Sequence, residues 1–503
     1  MGFTTSKRSL FFLRIALIGS AFGIGAFAAH TNATGDTPEA ESPSVPETKQ
    51  PSLARQDAAS TELSSPVDHG LLGLPQVLSS EGSSDNLVHG CEIREIRKID
   101  GISLKHLECS DKQLRDESQA FVVSEDFTVP PALARRFHFW RRIYSLWSKH
   151  QYVLHLAPWP EVVLEACENP PDRQVTSTTA AGGSGDGAQI VKKVSESRRD
   201  VYAQLLRRMH EISTTPGKFT PEMRRIAKAM EHISEPNKYL TASESLRIQR
   251  GQKDFIAQGL AIAPKYLPWI EKEFASLGVP TELSKLAFIE SSFNLKALSK
   301  VGASGVYQIM PETGKQYLRI QDGIDERNDP IKAGRAAARV LRFYYESLGS
   351  WPLAITAYNH GVGGIRRAME SVGSNRLEDL ITRYEGSGFG FASKNFYTGF
   401  LAIVATLAQK DEHFPGIKKP SPLRFRLVKL QGQMALDDIQ KTYRISPSEM
   451  IRLNPDISPQ LVRNRGFLPK NYVLKVSSDA AASLVTTNVG NDSSKKTSVK
   501  NDL

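Results

Sequence analysis

The chain has 503 residues, of which 64 are Lys or Arg and 54 are Asp or Glu, so its formal net charge is +10. This length exceeds what one ordinary hydrophobic core organises and indicates about three domains. The basic balance favours anionic partners such as nucleic acid, a membrane surface or an acidic polymer. The sequence has no zinc-finger spacing, phosphate-binding loop or aromatic-basic RNA motif, which argues against nucleic acid.

The N-terminus, residues 1–29, has the order of a secretory signal. Lys7 and Arg8 precede an apolar run with an Ala-Phe-Ala cleavage pattern at 26–28. The run is short for a membrane span, and it holds no Cys that could carry a lipid. We therefore expect an exported protein of the periplasm or cell envelope. An uncleaved membrane anchor is the alternative.

Composition then divides the chain. Residues 30–88, rich in Ser, Pro, Thr, Glu and Gly, predict a disordered linker. Residues 89–171 predict a globular N-terminal extension, in which the aromatic-rich stretch 137–147 is expected to form a packed helix. The segment 172–190, rich in Thr, Ala, Gly and Ser, predicts a flexible linker. Residues 191–270 carry helical periodicity with basic, solvated faces.

The three cysteines lie in or near the extension, at Cys91, Cys109 and Cys167. In an oxidising compartment one pair can join, and Cys91 and Cys109 are nearest in sequence. No pattern of His and Asn accompanies any of them, so a catalytic Cys is not expected. The histidines of the extension lack a paired acid or Cys that would complete a metal site, and we expect no metal and no cofactor.

The most informative stretch is residues 280–294. Thr281 predicts the start of a helix, because its hydroxyl can cap backbone N–H groups. Counting from Leu283, apolar residues at i, i+3 and i+4 are followed by Glu290 at i+7, so one helical stripe holds three apolar side chains and an acid. Burial would raise the pKa of that acid toward that of a general acid. Alternatively, the helix ends near Glu290 and the carboxylate reaches water.

Two further motifs follow. Gly305 allows a tight turn and a close approach of a polymer to the backbone. Gln308 offers a donor and an acceptor, which suits an amide or a sugar hydroxyl. Further on, a short apolar helix is stopped by a Gly-rich run and delivers Tyr358 and Asn359 at its C-terminal end. An acid, a Gly-rich loop with an amide and a Tyr-Asn pair are what holding and protonating an N-acetylated sugar requires.

In this order, the motifs resemble those of the lysozyme-like lytic transglycosylases, most closely the membrane-bound lytic transglycosylase D type. The matching motifs are Glu290-Ser291, Gly305-Val-Tyr-Gln308 and Ala357-Tyr358-Asn359. The resemblance covers about residues 240–410. It implies an enzyme that cuts the β-1,4 bond between N-acetylmuramic acid and N-acetylglucosamine in peptidoglycan without water and leaves 1,6-anhydro ends.

The resemblance also implies the roles of the residues. Glu290 would donate a proton to the glycosidic oxygen and then accept one from the muramoyl 6-hydroxyl. The residues that would bind the glycan strand are Ser291, Gly305, Gln308, Tyr358 and Asn359. The family's fourth motif is a Tyr before a final apolar helix, and Phe396 aligns with it here. Either the register shifts by one and Tyr397 takes that place, or the contact to the acid is lost. Both residues stay on the site list, with Phe396 favoured at the aligned position.

The C-terminal block, residues 423–476, has a different pattern of apolar and polar residues. A strand, two short helices and a returning strand are predicted at 424–430, 435–443, 446–453 and 472–476. This order resembles the LysM module, which binds glycans containing N-acetylglucosamine. Gly432-Gln-Met stands where that module usually has Gly-Asp-Thr. Residues 477–503 predict a disordered tail.

The sequence thus predicts a mainly α protein. It has a lysozyme-like helical catalytic domain at 271–415, a helical N-terminal extension and a small α+β LysM-like C-terminal module. The expected partner is the peptidoglycan glycan strand, and nucleic acid is not expected. One alternative is a lysozyme-type hydrolase, which needs a second carboxylate about 5–10 Å from the acid. The acids that the sequence offers are Glu312, Asp325, Glu326 and Asp329. The other alternative is a non-catalytic cell-wall-binding protein, which the intact motifs disfavour.

Overall fold

A mainly helical body contains all the residues that the computed structural model describes. These are residues 87–88, 91–99, 101–168 and 186–478. They belong to one compact unit. The expected signal sequence, the first linker up to residue 86 and the tail from residue 479 lie outside the described residues. Within the described ranges, no helix is long and apolar enough to cross a membrane.

The N-terminal extension is built on an antiparallel sheet. Its elements are β1 (Leu87–Val88), β2 (Cys91–Ile99), β3 (Ile102–Cys109), α1 (Asp111–Asp116), β4 (Phe121–Ser124), β5 (Phe127–Val129), α2 (Pro131–Ser145), β6 (Gln151–Leu156) and β7 (Val163–Glu168). The sheet order is β1-β2-β3-β7-β6, and the strand β8 (Leu246–Arg250) adds a sixth strand beside β6. Strands β4 and β5 form a separate hairpin. The helix expected at 137–147 is the C-terminal part of α2 and the residues after it.

The expectation of a helical extension therefore missed its sheet, for two physical reasons. In β2 a bulge between Glu95 and Arg97 breaks the two-residue alternation, so the apolar residues do not follow a strand period. Strands β6 and β7 are runs of residues buried on both faces, without the alternation of exposed and buried side chains that marks a half-exposed strand. Such runs cannot be told from buried helices by periodicity alone.

Helices cover the two faces of this sheet. Side chains alternate along β6, because successive residues of a strand point to opposite faces. Val153 packs into the same core as α2, while Leu154 packs into a second core with the helices that follow. Those helices are α3 (Asp186–Glu211), α4 (Pro221–Ala229) and α5 (Lys238–Glu244). Helix α3 starts inside the linker expected at 172–190, whose earlier part lies outside the described residues.

A disulfide joins the first two long strands of the sheet. Cys91 and Cys109 lie directly opposite each other in β2 and β3 and are bonded. Cys167 in β7 is a buried thiol. The pair nearest in sequence is thus the pair that forms, and the third cysteine stays reduced in the interior.

The central helical region contains the predicted motifs. Its elements are α6 (Lys253–Leu260), α7 (Leu267–Ser276), α8 (Leu286–Ser291), α9 (Pro311–Gly314), β9 (Ile320–Gln321), β10 (Ile324–Asp325), α10 (Pro330–Leu348), α11 (Trp351–His360), α12 (Val362–Val372), α13 (Leu377–Arg383), α14 (Phe391–Ala408) and α15 (Lys410–His413). Helix α14 is buried on nearly every side, as its apolar sequence requires.

The extension and the central region share one hydrophobic core. Helix α2 of the extension packs along α14. There the side-chain oxygen of the fully buried Asn395 accepts hydrogen bonds from the indole N–H of Trp140 (3.0 Å) and from Arg136 (2.9 Å). A buried amide with satisfied partners fixes how the two helices pack. The extension is therefore part of the same folded body as the central region.

The C-terminal module has the predicted element order. Strand β11 (Arg426–Lys429) pairs antiparallel with β14 (Val473–Val476), and α16 (Leu436–Tyr443) and α17 (Pro447–Leu453) lie between them in sequence. The structure adds three short elements, β12 (Met434–Ala435), α18 (Pro459–Arg463) and β13 (Phe467–Leu468). The module has its own core, which Ile324 of the central region enters. Its resemblance to LysM remains a prediction.

Candidate active site

Glu290 sits at the end of a short buried helix. Residues Thr281–Lys285 form a 3₁₀ turn that leads into α8, and Thr281 does not cap it, because Pro280 holds the cap position without a side-chain bond. Helix α8 ends at Ser291, and the next residue, Ser292, has a left-handed backbone with φ 53°. Glu290 is nevertheless only 1% exposed. The alternative in which the carboxylate reaches water is therefore wrong, although the helix does end where that alternative placed its end.

Burial favours the protonated form of the Glu290 carboxyl group. Removal from water disfavours the carboxylate form, which raises the pKa of Glu290 well above its usual 4.5. The phenol of Tyr358 is affected in turn, since burial and then the charge of Glu290 raise its pKa well above the ordinary value. Tyr358 is thus close enough to Glu290 for the two groups to interact electrostatically. A carboxyl group that keeps its proton near neutral pH can act as a general acid.

Ser291 fastens the acid's helix to the glycine loop, which we define as residues 302–309. Its hydroxyl lies 2.9 Å from the carbonyl of Val306 in that loop and accepts a hydrogen bond from the N–H of Asn294 at 3.1 Å. Ser291 is 6% exposed. The predicted role of this residue was substrate binding, whereas its contacts are with the protein's own backbone and position Glu290 against the loop.

The glycine loop needs Gly305 for two reasons. Its φ of +75° is a left-handed conformation that favours glycine, and an added Cβ would lie 1.8 Å from the carbonyl oxygen of Arg327. The amide nitrogen of Gln308 donates to the carbonyls of Gly305 (2.9 Å) and Ala297 (3.2 Å). The predicted donor of Gln308 is therefore used to hold the loop, and the side chain is 5% exposed.

Two tyrosines connect the three motifs. The hydroxyl of Tyr358, on α11, donates to the carbonyl of Tyr307 in the glycine loop at 3.1 Å. The hydroxyl of the fully buried Tyr307 donates to the carbonyl of Ser284, at the base of the acid's helix, at 2.9 Å. The loop is thus bonded to α8 on one side and to α11 on the other. The motifs that are separate in sequence form one constellation.

Asn359 is partly exposed, and its orientation is set by a residue that the sequence analysis missed. The side-chain oxygen of Asn359 accepts a hydrogen bond from the hydroxyl of Ser393 at 3.0 Å, and the same hydroxyl lies 3.3 Å from Nδ1 of His360. Ser393 is on α14 and is 4% exposed. It precedes Phe396 by one helical turn, which is the only sequence signal that it shares a face with the fourth-motif position.

Tyr397 points away from the acid. Its hydroxyl donates to the carbonyl of Thr128 in β5 of the extension at 3.3 Å. The ring lines a cavity of about 190 Å³ with Asp126 and Glu378 at that seam. Adjacent residues on a helix point about 100° apart, and Phe396 lies in the core at 1% exposure. The structure therefore does not have the shift of register that would bring Tyr397 to Glu290.

Within the part of the chain that the structure describes, no group of three or more His, Cys, Asp or Glu side chains is placed to hold a metal ion. The buried acid, the glycine loop and the Tyr-Asn pair are the described features that could act on a ligand. A buried acid beside an amide side chain is an arrangement suited to acid chemistry.

The segment that contains this site is similar to a known family. Residues 268–381 match the family described as Transglycosylase SLT domain. The chain is similar to membrane-bound lytic murein transglycosylase D of Escherichia coli (strain K12), with 28% identity over 219 residues, 42% of this chain and 47% of that protein. It thus spans about half the length of that relative.

Two further similarities are more limited. A putative tributyltin chloride resistance protein of Alteromonas sp. (strain M-1) is 35% identical over 123 residues, which cover 24% of this chain and 59% of that protein. The solved structure of an inactive mutant of lytic transglycosylase Slt from Pseudomonas aeruginosa aligns with 17% identity and a TM-score of 0.26. That alignment covers 46% of this chain and 38% of the other.

Proposed function

We propose that this protein is a peptidoglycan lytic transglycosylase. It cleaves the β-1,4 bond between N-acetylmuramic acid and N-acetylglucosamine and leaves 1,6-anhydro-N-acetylmuramic acid ends. The observation that carries the proposal is Glu290, a buried carboxyl group with a raised pKa within the segment that matches the SLT domain family. The relatives' names support the reaction class.

The chemistry uses Glu290 twice. Its proton goes to the glycosidic oxygen as the bond from that oxygen to C1 of the muramoyl residue breaks, and the leaving sugar departs with a 4-hydroxyl. The resulting carboxylate accepts the proton of the muramoyl 6-hydroxyl, whose oxygen forms a new bond to C1. Glu290 ends protonated, as it began, and no water is consumed. A raised pKa suits both steps, because the group must give and regain a proton at the working pH.

Three of the four acids that could make the protein a hydrolase are paired with cations of the protein itself. Glycoside hydrolases commonly hold a second carboxylate about 5–10 Å from the acid as nucleophile or base. Of the four acids that the sequence offered, Asp325 pairs with Arg327 at 2.8 Å, Glu326 pairs with Lys332 at 3.1 Å, and Asp329 is bonded to Lys475. These three carboxylates stabilise the protein's own structure. Their engagement leaves Glu312 as the remaining acid of the four, and it favours attack by the substrate's own 6-hydroxyl over attack by water.

A non-catalytic cell-wall-binding protein would have no use for the buried acid. Keeping a carboxyl group protonated in the interior costs stability at neutral pH, where an exposed one would ionise. A binding surface gains nothing from that cost, whereas an acid catalyst requires it. Glu290 thus favours an enzyme over a scaffold.

Substrate binding follows from the groups around the acid. The partly exposed Asn359 presents an amide that matches the N-acetyl group of the sugars, and the glycine loop lets the strand approach the backbone. The net charge of +10 suits an acidic wall polymer. We propose the periplasm or cell envelope as its location because of its signal-like N-terminus, and membrane attachment through an uncleaved signal is the alternative.

The test is product analysis on purified sacculi. Mass spectrometry of the released muropeptides should find anhydro ends, whose mass is lower than that of reducing ends by one water. The Glu290→Gln variant serves as the control and should release none. Reducing ends in the wild-type digest would support the hydrolase, and no soluble product from folded wild-type protein would support the wall-binding alternative.

A further inference from the structure

The C-terminal module is joined to the central region by its backbone. The N–H of Asp325 donates to the carbonyl of Asp456 at 2.8 Å, and the N–H of Ser458 donates to the carbonyl of Gly323 at 2.8 Å. Ile324 and Ile457 form a β-bridge between these two bonds. A short piece of the module thus extends the β9–β10 hairpin by strand pairing.

Buried charges reinforce this junction. The ammonium group of Lys475, on β14 of the module, is bonded to the carboxylate of Asp329, and both side chains are nearly inaccessible to solvent. Lys332, on α10, pairs with Asp456 of the module at 2.7 Å. Asp329 also caps α10 by accepting the N–H groups of Ile331 and Lys332. Removing one partner of a buried ion pair leaves the other charge uncompensated, so these contacts are sensitive to substitution.

Asp325, in the segment that the module holds, binds the side chain of Arg327. The carboxylate of Asp325 binds Arg327 through both oxygens, at 3.0 Å to Nε and 2.8 Å to Nη2. Such a two-point contact fixes the plane of the guanidinium group as well as its position. Because the N–H of Asp325 is bonded to the module, the orientation of Arg327 depends on where the module docks.

Arg327 in turn closes the glycine loop. Its Nη1 donates to the carbonyl of Gly302 at 2.7 Å and to that of Ile309 at 3.0 Å, which are the two ends of the loop. The carbonyl oxygen of Arg327 lies against Gly305, and the side chain of Asn328 accepts the hydroxyl of Ser304 at 2.7 Å. Residues 325–329 therefore hold the loop at both ends and at Ser304 and Gly305.

We propose that the C-terminal module is a positioning element of the active site. Lys475 and the backbone of Asp456 hold residues 325–329, and Arg327 transmits that hold to the glycine loop that carries Gln308. Lys475 is a positioning residue, since it touches neither the acid nor the loop. This inference rests on the proposed function for its effect on turnover, and on the hydrogen bonds alone for its effect on the loop.

The test compares two full-length variants of the module. Lys475→Met removes the buried ammonium group, and the matched control Lys429→Met removes an exposed one from β11, the strand paired with β14. In Lys475→Met, amide hydrogen exchange in the glycine loop should speed up by about tenfold, and KM for glycan strands should rise by about tenfold with a smaller change in kcat. Lys429→Met should match the wild type in both measurements.

A second variant covers the case in which Lys475→Met does not fold. Lys332→Met removes the other ion pair of the junction from a less buried position and should speed exchange in the same loop. Unchanged exchange in the loop of both folded variants would overturn the proposal, and so would faster exchange spread evenly over the chain. Hydrogen exchange needs no activity, so a wild type that fails to cut sacculi would refute the proposed function while the coupling is still tested.

Discussion

Replacing Glu290 with Gln should make the protein more stable and inactive at the same time. Burial raises the pKa of Glu290 well above the 4.5 of a solvated carboxyl group. Between these two pKa values the folded state binds one proton more than the unfolded state. The stability contributed by that proton is fully present below pH 4.5 and is lost as pH rises toward the folded-state pKa. Gln carries no ionisable proton and removes this dependence.

The size of the effect follows from linkage. Within that window the free energy of unfolding of the wild type falls by about 1.4 kcal/mol per pH unit relative to the variant. The advantage of Glu290→Gln should therefore grow with pH and level off once the pH exceeds the folded-state pKa. The amide is close in size to the carboxyl group, so packing changes little.

Urea unfolding at several pH values from 4 upward measures this difference. A matched control is Glu312→Gln, which makes the same chemical change at an exposed glutamate of the same region. Cleavage of sacculi by Glu290→Gln should fall by roughly 10²–10⁴-fold, as loss of a general acid does. A stability difference that does not change with pH would refute the claim that Glu290 is held protonated.

Three further substitutions test the surroundings of the acid. Gly305→Ala should abolish activity and destabilise the fold, because the new methyl group would meet a backbone carbonyl. Its control is Gly349→Ala, at an equally left-handed but open position. This control should lower the free energy of unfolding in urea by only about 1 kcal/mol and leave turnover unchanged. Ser393→Ala should weaken glycan binding, seen as a KM raised by several-fold with kcat nearly kept, since Asn359 loses its hydrogen-bond donor; an unchanged KM would show that the amide is oriented by other contacts. Tyr397→Phe should lower stability by about 1 kcal/mol through a lost hydrogen bond and leave kcat within about twofold of wild type. A tenfold loss of kcat in that variant would show that the hydroxyl reaches the acid.

The local part of this site could be predicted from the sequence. The apolar stripe ahead of Glu290 implied a buried acid, and it is buried. The alternating strand and short helices after residue 423 gave the order of the C-terminal module. Each of these signals lies within one or two turns of chain, where periodicity and capping chemistry act.

The parts that the sequence did not indicate depend on distant contacts. Lys475 and Asp329 are 146 residues apart in sequence. The residues around each of them show no local pattern that indicates a buried ion pair. Ser393 became a partner of Asn359 only because α14 crosses α11 at that point. The sheet of the extension was missed because β6 and β7 are covered on both faces, which removes the alternation that marks a strand.

Cleavage of sacculi in water enriched in ¹⁸O tests the central claim most directly. If Glu290 directs the muramoyl 6-hydroxyl to C1, the released muropeptides carry anhydro ends and contain no ¹⁸O at C1. Incorporation of one ¹⁸O atom at each new reducing end, in digests by folded wild-type protein, would contradict the account and show that water is the nucleophile.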